Sequence, residues 1–174
     1  MIHAQVVRPD DFHRFRDLDV IAEVNPYHIS DDMRWMEERI GHERCRGAYA
    51  FRSLLDNGAV LSFGSDWPGT SAALYHVHPR YSIYAAVTRK TLDGTPEGGW
   101  FPGERITVGE AIRAYTINNA EAALEDHIRG SIEAGKLADI TVFDRNLLEI
   151  PHGEILEAEV VMTIVDGTVV YEDL

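Results

Sequence analysis

AVLSFGSDWP, residues 59–68, is the stretch that most strongly determines the fold assignment. Its apolar run ends in small residues and a carboxylate, a pattern typical of a buried parallel strand with a functional group at its C-terminal end. Two more strands are predicted upstream, in IHAQVV (residues 2–7) and in the apolar part of VIAEVNP (residues 20–26). Because predicted helices lie between these strands, their order indicates parallel βα units.

The helices are predicted from residues that commonly occupy helix ends. Asp10 is the expected N-cap of the first helix, Gly58 follows the end of another, and Thr107 opens a T-x-x-E capping box. The predicted helical segments are residues 12–18, a segment from Ser30 to the interruption at Gly41, and residues 43–57, 81–88, 107–115 and 119–124. The C-terminal region instead alternates β-branched residues around Asp166-Gly167, which predicts a β-hairpin.

The composition is that of a globular protein, and it excludes several classes of partner. With 16 Lys and Arg against 29 Asp and Glu, the formal net charge is −13, and no basic cluster could follow a phosphate backbone or an anionic membrane. No apolar run approaches the roughly 18 residues of a membrane-spanning helix. The single cysteine, Cys45, excludes an intrachain disulfide and a zinc site built from several cysteines. We therefore expect a cytoplasmic protein that binds neither nucleic acid nor membrane.

Three polar side chains are expected at one end of the predicted strands. Asp66 follows the third strand, where a carboxylate can ligate a divalent metal, act as a general base or simply cap the next turn. His3 lies on the opening strand and His28 follows the second, although an isolated histidine on an apolar strand is more often a core residue than a ligand. Zinc sites use imidazole and carboxylate ligands, so the convergence of the three favours a metal site.

The motifs of this sequence resemble those of the amidohydrolase superfamily, and within it the branch called amidohydrolase family 3. The matching stretches are IHAQVVRPDDFHRF, VIAEVNPYH, GHERCRGAYAFRSLLDNGAVLSFGSDWP, AIRAYTINNAEAAL and GSIEAGKLADITVFD, which together extend over nearly the whole chain. The last stretch is specific to metal-dependent amidohydrolases, and FGSDWP is specific to this branch. Characterised members of the branch hydrolyse N-acyl or formamide C–N bonds, and the resemblance implies that chemistry here.

The resemblance implies an α/β fold made of part of a larger architecture. Residues 1–128 would form the C-terminal portion of a (β/α)8 TIM barrel, namely strands 6 to 8 with their helices. Residues 129–174 would form part of the small β-sandwich that accompanies such a barrel. The family's H-x-H motif on strand 1, lysine on strand 4 and histidine on strand 5 have no counterpart, so we expect a C-terminal fragment of a longer enzyme.

The resemblance also implies roles for individual residues. His3 matches the metal ligand of strand 6, and Asp66 matches the strand 8 aspartate, which binds metal and accepts a proton from the attacking water. His28, Arg44 and Trp67 are implied to lie on the substrate side of the site. The intact family enzyme would carry a divalent metal, with zinc favoured by these ligand types.

Two other features are not expected to supply metal ligands. The one H-x-H sequence, His76-Val77-His78, follows the last barrel strand, where contact with substrate or solvent at the rim is expected. Arg52 is expected on a helix face that is either solvated or ion-paired. Their roles in the function are therefore left open.

The function expected of this chain differs from that of the intact family enzyme. Two ligands cannot hold a catalytic metal tightly, so the fragment alone is expected to be inactive, whereas the whole enzyme would hydrolyse a small amide. The alternatives are a non-catalytic, self-associating globular remnant or structural domain and an unrelated α/β binding domain. A homodimer is expected because Ile21, Leu61 and Phe63 would face the missing barrel interior and the strand edges would be open.

Overall fold

The computed structural model describes residues 1–69 and 75–173 and confirms a mixed α/β chain. The α-helices are α1 (His13–Asp17), α2 (Ile29–Asp32), α3 (Met36–Ile40), α4 (His42–Cys45), α5 (Phe51–Asp56), α6 (Pro79–Thr88), α7 (Val108–Tyr115) and α8 (Ile117–Ala122). The strands are β1 (Ala22–Val24), β2 (Leu61–Phe63), β3 (Ile140–Phe143), β4 (Val160–Val165) and β5 (Thr168–Glu172). Short 3-10 helices cover Pro9–Asp11, Pro26–His28, Pro102–Glu104 and His152–Glu157. None of the described helices is long and apolar enough to cross a membrane.

The strands form two small sheets. β1 and β2 pair in parallel, with Ala22 opposite Leu61 and Val24 opposite Phe63, and α2 to α5 lie between them in the chain. The predicted parallel βα arrangement is therefore confirmed for this pair, although each strand is only three residues long. β3, β4 and β5 form an antiparallel sheet, and the β4–β5 hairpin turns at Asp166 and Gly167 as predicted.

The opening segment is not the regular strand that was predicted for residues 2–7. The Glu23 N–H donates to the Met1 carbonyl at 2.9 Å, and the Ala4 N–H donates to the Glu23 carbonyl at 2.9 Å. In a regular parallel ladder, the two residues that bond to Glu23 would be two positions apart in the chain. Here Met1 and Ala4 are three positions apart, so the opening segment contains one extra residue, which forms a bulge. That residue is His3, whose φ of +54° turns its N–H away to the Glu23 carboxylate at 2.9 Å.

The helix ends show which capping predictions were sound. The Thr107 capping box forms in both directions, and Gly58 follows α5 with a φ of +82°, which glycine adopts without strain. Asp10 is not an N-cap, because a 3-10 turn precedes α1 and Phe12 occupies the cap position. The helix predicted for residues 43–57 is broken into α4 and α5, since Ala48 pairs with Val6 and Tyr49 has a φ of +50°.

The interior of the parallel pair is covered by the chain's own helices. Leu61 and Phe63 are 1% and 2% exposed, and the Phe63 ring packs against Phe51 and Tyr115 at centroid distances of 5.9 and 5.5 Å. The expectation that Leu61 and Phe63 would be left exposed is therefore wrong. Ile21 is half-buried.

The outer edge of β2 is closed as well. The side-chain amides of Asn118 and Asn119, both on α8, donate to the Leu61 and Phe63 carbonyls at 2.8 and 3.0 Å. These carbonyls point away from β1, so the asparagines occupy the place of a neighbouring strand. The open edge expected at β2 is therefore absent from the described chain.

Candidate functional site

His3, His28 and Asp66 meet at the C-terminal end of the parallel pair. One ligand atom from each residue can be chosen so that all three lie within 4.8 Å of one another. The residues come from the opening segment, the 3-10 turn after β1 and the turn after β2. The expected convergence of the three side chains is therefore found in the structure.

The local backbone explains how these side chains reach one another. Parallel strands bring the segments that follow them to the same edge of the sheet, which places His28 beside Asp66. His3 and Asp66 both adopt a φ of +54°, a left-handed conformation that bends the chain sharply at each residue. Gly64 permits the tight exit from β2, because a Cβ there would lie 2.9 Å from the Asn25 amide nitrogen and would collide with Glu23.

His28 is the buried member of the cluster. Its side chain is 4% exposed, and its ring stacks on Tyr75 at a centroid distance of 4.0 Å. Burial lowers the pKa of His28 to about 4, against the opposing effect of the Asp66 carboxylate. The imidazole is therefore neutral at pH 7. Its Nε2 is buried without a hydrogen-bond partner and lies 3.6 Å from Asp66 Oδ2.

The other ring nitrogen of His28 ends a chain of polar side chains. The Gln5 amide nitrogen lies 2.9 Å from His28 Nδ1 and 2.9 Å from the Tyr49 hydroxyl, which in turn donates to Asp32 Oδ2 at 2.6 Å. We call Asp32, Tyr49, Gln5 and His28 the polar relay. Burial raises the pKa of the Tyr49 phenol well above its usual range and also raises that of Asp32. Sequence reasoning did not find Asp32, Tyr49 or Gln5, since no local spacing links residues so far apart.

His3 and Asp66 remain accessible. Asp66 has a side chain that is 39% exposed, and His3 is exposed and meets the His28 ring edge-on at 5.8 Å. Two imidazoles and a carboxylate are donors that zinc accepts. An accessible carboxylate beside a neutral imidazole can also accept a proton from a bound water.

The remaining predicted site residues are placed as follows. Trp67 follows Asp66 in the chain and is 62% exposed, so it lies next to the cluster and faces solvent. Arg44 lies on the exposed side of α4 and donates to the Ile40 carbonyl at 3.3 Å, and no hydrogen bond within the described chain joins it to the cluster. The substrate-side roles of Trp67, Arg44 and His28 stay predictions.

The histidines and arginine outside the cluster have other partners. His78 Nδ1 accepts the Arg80 N–H at 3.2 Å and so caps α6, and His76 stacks on Tyr81 at 4.1 Å. Arg52 pairs with Glu110 and lies 3.6 Å from Asp56, so of the two settings expected for it the ion-paired one is found.

One cavity lies away from the cluster. It has a volume of about 610 Å³ and is lined in part by Arg52, Lys90 and Arg105. Arg52 is already paired, and Arg105 donates to the Thr88 and Gly98 carbonyls. Both arginines of the cavity are therefore already engaged within the chain.

An α/β chain that gathers imidazoles and a carboxylate where parallel strands end has the arrangement used by metal-dependent hydrolases. Comparison with known proteins gives the particular family. The model of the amidohydrolase family matches residues 1–171, so this chain belongs to the amidohydrolase family, as its motifs indicated.

Several relatives are much longer than this chain. Protein LONG AFTER FAR-RED 3 of Arabidopsis thaliana is 36% identical over 170 residues, which is 97% of this chain and 28% of that protein. The N-substituted formamide deformylase of Arthrobacter pascens is 41% identical over 125 residues, which is 71% of this chain and 21% of the relative. An uncharacterised metal-dependent hydrolase from Pyrococcus furiosus superposes with a TM-score of 0.70 at 31% identity, covering 84% of this chain and 28% of that one. The chain thus spans less than a third of each of these relatives.

Proposed function

We propose that this chain supplies part of the active site of a metal-dependent hydrolase that cleaves an amide-type C–N bond in a small molecule. The convergence of His3, His28 and Asp66 is the observation that carries the proposal. The parallel pair would be part of a TIM barrel completed by further strands, and the antiparallel sheet part of a small β-sandwich. The 41% identity to a formamide deformylase supports formamide or N-acyl substrates.

The residues present fit a zinc ion. Imidazole nitrogen and carboxylate oxygen are both zinc donors. Among the described residues, neither the His3 ring nor the Asp66 carboxylate takes part in a hydrogen bond, and His28 Nε2 lies 3.6 Å from Asp66 Oδ2. His3 and Asp66 would hold the metal from this chain, and further ligands would come from elsewhere in a complete enzyme. Zinc bound there would supply Lewis-acid activation of the amide carbonyl.

The chain's own groups would handle the proton. Asp66 is exposed enough to accept a proton from the attacking water and to pass it to the leaving amine. Burial lowers the pKa of His28 to about 4, so the ring beside Asp66 is neutral at pH 7. Trp67 and Arg44 would contact the substrate from the rim.

A chimera tests the proposed reaction. The segment of the Arthrobacter pascens deformylase that aligns with this chain is replaced by the corresponding residues, and hydrolysis of an N-substituted formamide is measured. We expect turnover that Asp66→Asn lowers by on the order of 10²–10⁴-fold, whereas Asp56→Asn, at an exposed ion pair, leaves it unchanged. Turnover that survives Asp66→Asn would contradict the proposal.

The isolated chain is expected to hold zinc weakly and to show no turnover, because two ligands are too few. Elemental analysis after dialysis measures this directly. A full equivalent of zinc that disappears in Asp66→Ala would contradict the expectation of weak binding.

The second candidate is a non-catalytic chain that self-associates. It is favoured by exposed apolar residues beside the opening segment, where Ile2, Val6 and Leu18 are 77%, 50% and 62% exposed. A second copy could cover this surface, which adjoins a cavity of about 380 Å³. A chimera without turnover, together with a stable dimer of the isolated chain, would favour this candidate.

A further inference from the structure

The polar relay fixes the direction of its own hydrogen bonds, beginning at Asp32. The Asp32 carboxyl is partly exposed, and its Oδ2 accepts the hydrogen of the Tyr49 hydroxyl at 2.6 Å. The Tyr49 hydroxyl is thus the donor of this pair. Asp31 and Arg39 act on the Asp32 pKa in opposite directions, so the charges around this carboxyl partly cancel.

The next two bonds follow from the first. With its proton committed to Asp32, the Tyr49 oxygen has only lone pairs left, so Gln5 must direct its NH₂ group toward it. The same nitrogen lies 2.9 Å from His28 Nδ1, which must then be an acceptor. A neutral imidazole with an unprotonated Nδ1 carries its proton on Nε2.

The Nε2–H group has one acceptor within reach among the described contacts. Asp66 Oδ2 is 3.6 Å away, longer than a hydrogen bond, but the Asp66 side chain is 39% exposed and a small rotation would close the gap. The stacked Tyr75 ring and the edge of His3 restrict the imidazole itself. Nε2 is also buried from solvent, so its partner must come from the site.

We propose that the polar relay holds His28 in its Nε2–H tautomer, so that His28 donates a hydrogen bond to Asp66 and is not a metal ligand. His28 is then a positioning residue that acts through Asp66. Its hydrogen bond engages Oδ2 and leaves Oδ1 for the metal, in the way that hydrogen bonds commonly orient a ligating carboxylate. The positioning role of His28 rests on the proposed function, whereas the tautomer of His28 is independent of it.

The backbone keeps the relay in register. The Tyr49 N–H donates to the Gln5 carbonyl at 2.7 Å, and the buried Arg89 guanidinium donates to the Tyr49 carbonyl at 2.6 Å. Tyr49 is 0% exposed. These two main-chain bonds fix the backbone positions of Gln5 and Tyr49, so the relay can present the same groups to the imidazole.

The test is long-range ¹H–¹⁵N correlation NMR of the full chain with labelled histidine. The His28 signals are identified by their loss in His28→Asn. We expect a protonated Nε2 and an unprotonated Nδ1 without metal, and the same pattern after zinc addition while the His3 nitrogens shift. A protonated Nδ1, or an Nε2 signal that shifts to the metal-bound type on zinc addition, would overturn the proposal. If zinc shifts no histidine, the proposed metal site is wrong, but the metal-free spectrum still decides the tautomer.

Two variants test the cause. Gln5→Glu replaces the NH₂ donor with a carboxylate, which must accept from Nδ1–H and so frees Nε2, and zinc affinity should rise on the order of tenfold. Tyr49→Phe releases the amide and should give a mixture of tautomers, whereas Tyr84→Phe, which alters a buried tyrosine outside the relay, should give none. An unchanged His28 pattern in both Gln5→Glu and Tyr49→Phe, with circular dichroism unchanged, would show that the relay does not set the tautomer.

Discussion

Asn119→Ala tests whether α8 closes the edge of the parallel pair. The Asn119 amide oxygen accepts the Ser62 hydroxyl at 2.5 Å, and its nitrogen donates to the Phe63 carbonyl at 3.0 Å. Ser62 is 5% exposed, so the substitution leaves a buried hydroxyl and a strand-edge carbonyl without partners. Each unsatisfied buried group costs about 1–3 kcal/mol, and the better helix propensity of alanine returns about 0.5 kcal/mol.

The expected loss in the free energy of unfolding is therefore about 1.5–5.5 kcal/mol. Urea denaturation measures it, and with a slope of about 1–3 kcal/mol per molar the midpoint should fall by about 0.5 M or more. Asn57→Ala is the matched control, because it removes one local bond to the Ser53 carbonyl and should cost about 1 kcal/mol. If Asn119→Ala costs no more than Asn57→Ala, the reasoning about edge closure is wrong.

Three further outcomes are expected. The folded-state pKa of His28, about 4, lies below its ordinary 6.5, so the unfolded chain binds the proton more readily. The free energy of unfolding should therefore decrease as pH falls from 6.5 toward 4. His28→Asn should flatten this pH dependence in urea melts, and an unchanged dependence would contradict the burial argument. His3→Gly relieves a left-handed φ at an exposed residue, so it should change the free energy of unfolding by less than about 1 kcal/mol while weakening zinc binding. The control Leu124→Gly, at an exposed residue with a φ of +59°, should leave zinc binding unchanged. Equal zinc affinities of the two variants in titrations would exclude His3 as a ligand. Sedimentation equilibrium should show a dimer that Leu18→Lys converts to a 19.6 kDa monomer, and a monomeric wild-type chain would rule out association through the opening segment.

Much of the parallel pair could be predicted because its signals are local. The apolar run that ends at Phe63 and the proline that follows Asn25 mark the ends of β2 and β1, and the rule that functional groups follow parallel strands then points to His28 and Asp66. The Thr107 capping box and the Asp166-Gly167 turn were likewise predicted from adjacent residues and are present. Short-range patterns are reliable where the structure is stabilised by short-range contacts.

The polar relay could not be predicted in that way. Gln5 and Tyr49 are 44 positions apart, and Tyr49 and Asp32 are 17 apart, so no periodicity connects them. Tyr49 was also assigned to the middle of a helix, where its hydroxyl would have had no reason to meet Gln5. Only the tertiary pairing of Ala48 with Val6 shows that the helix must stop there.

Three of the eight non-glycine residues with a positive φ in the described chain lie at the site. His3, Tyr49 and Asp66 all adopt a positive φ, at +54°, +50° and +54°, although none is a glycine or an asparagine. Left-handed conformations of such residues cost free energy and persist where the surrounding structure enforces them, which is often at functional sites. Here each one directs a side chain into the cluster or the relay: His3 through the bulge beside β1, Tyr49 through the break between α4 and α5, and Asp66 through the turn after β2. Sequence reasoning placed His3 and Asp66 in the cluster but assigned Tyr49 to a helix, because the pairing of Ala48 with Val6, which overrides the local preference at Tyr49, is a tertiary contact.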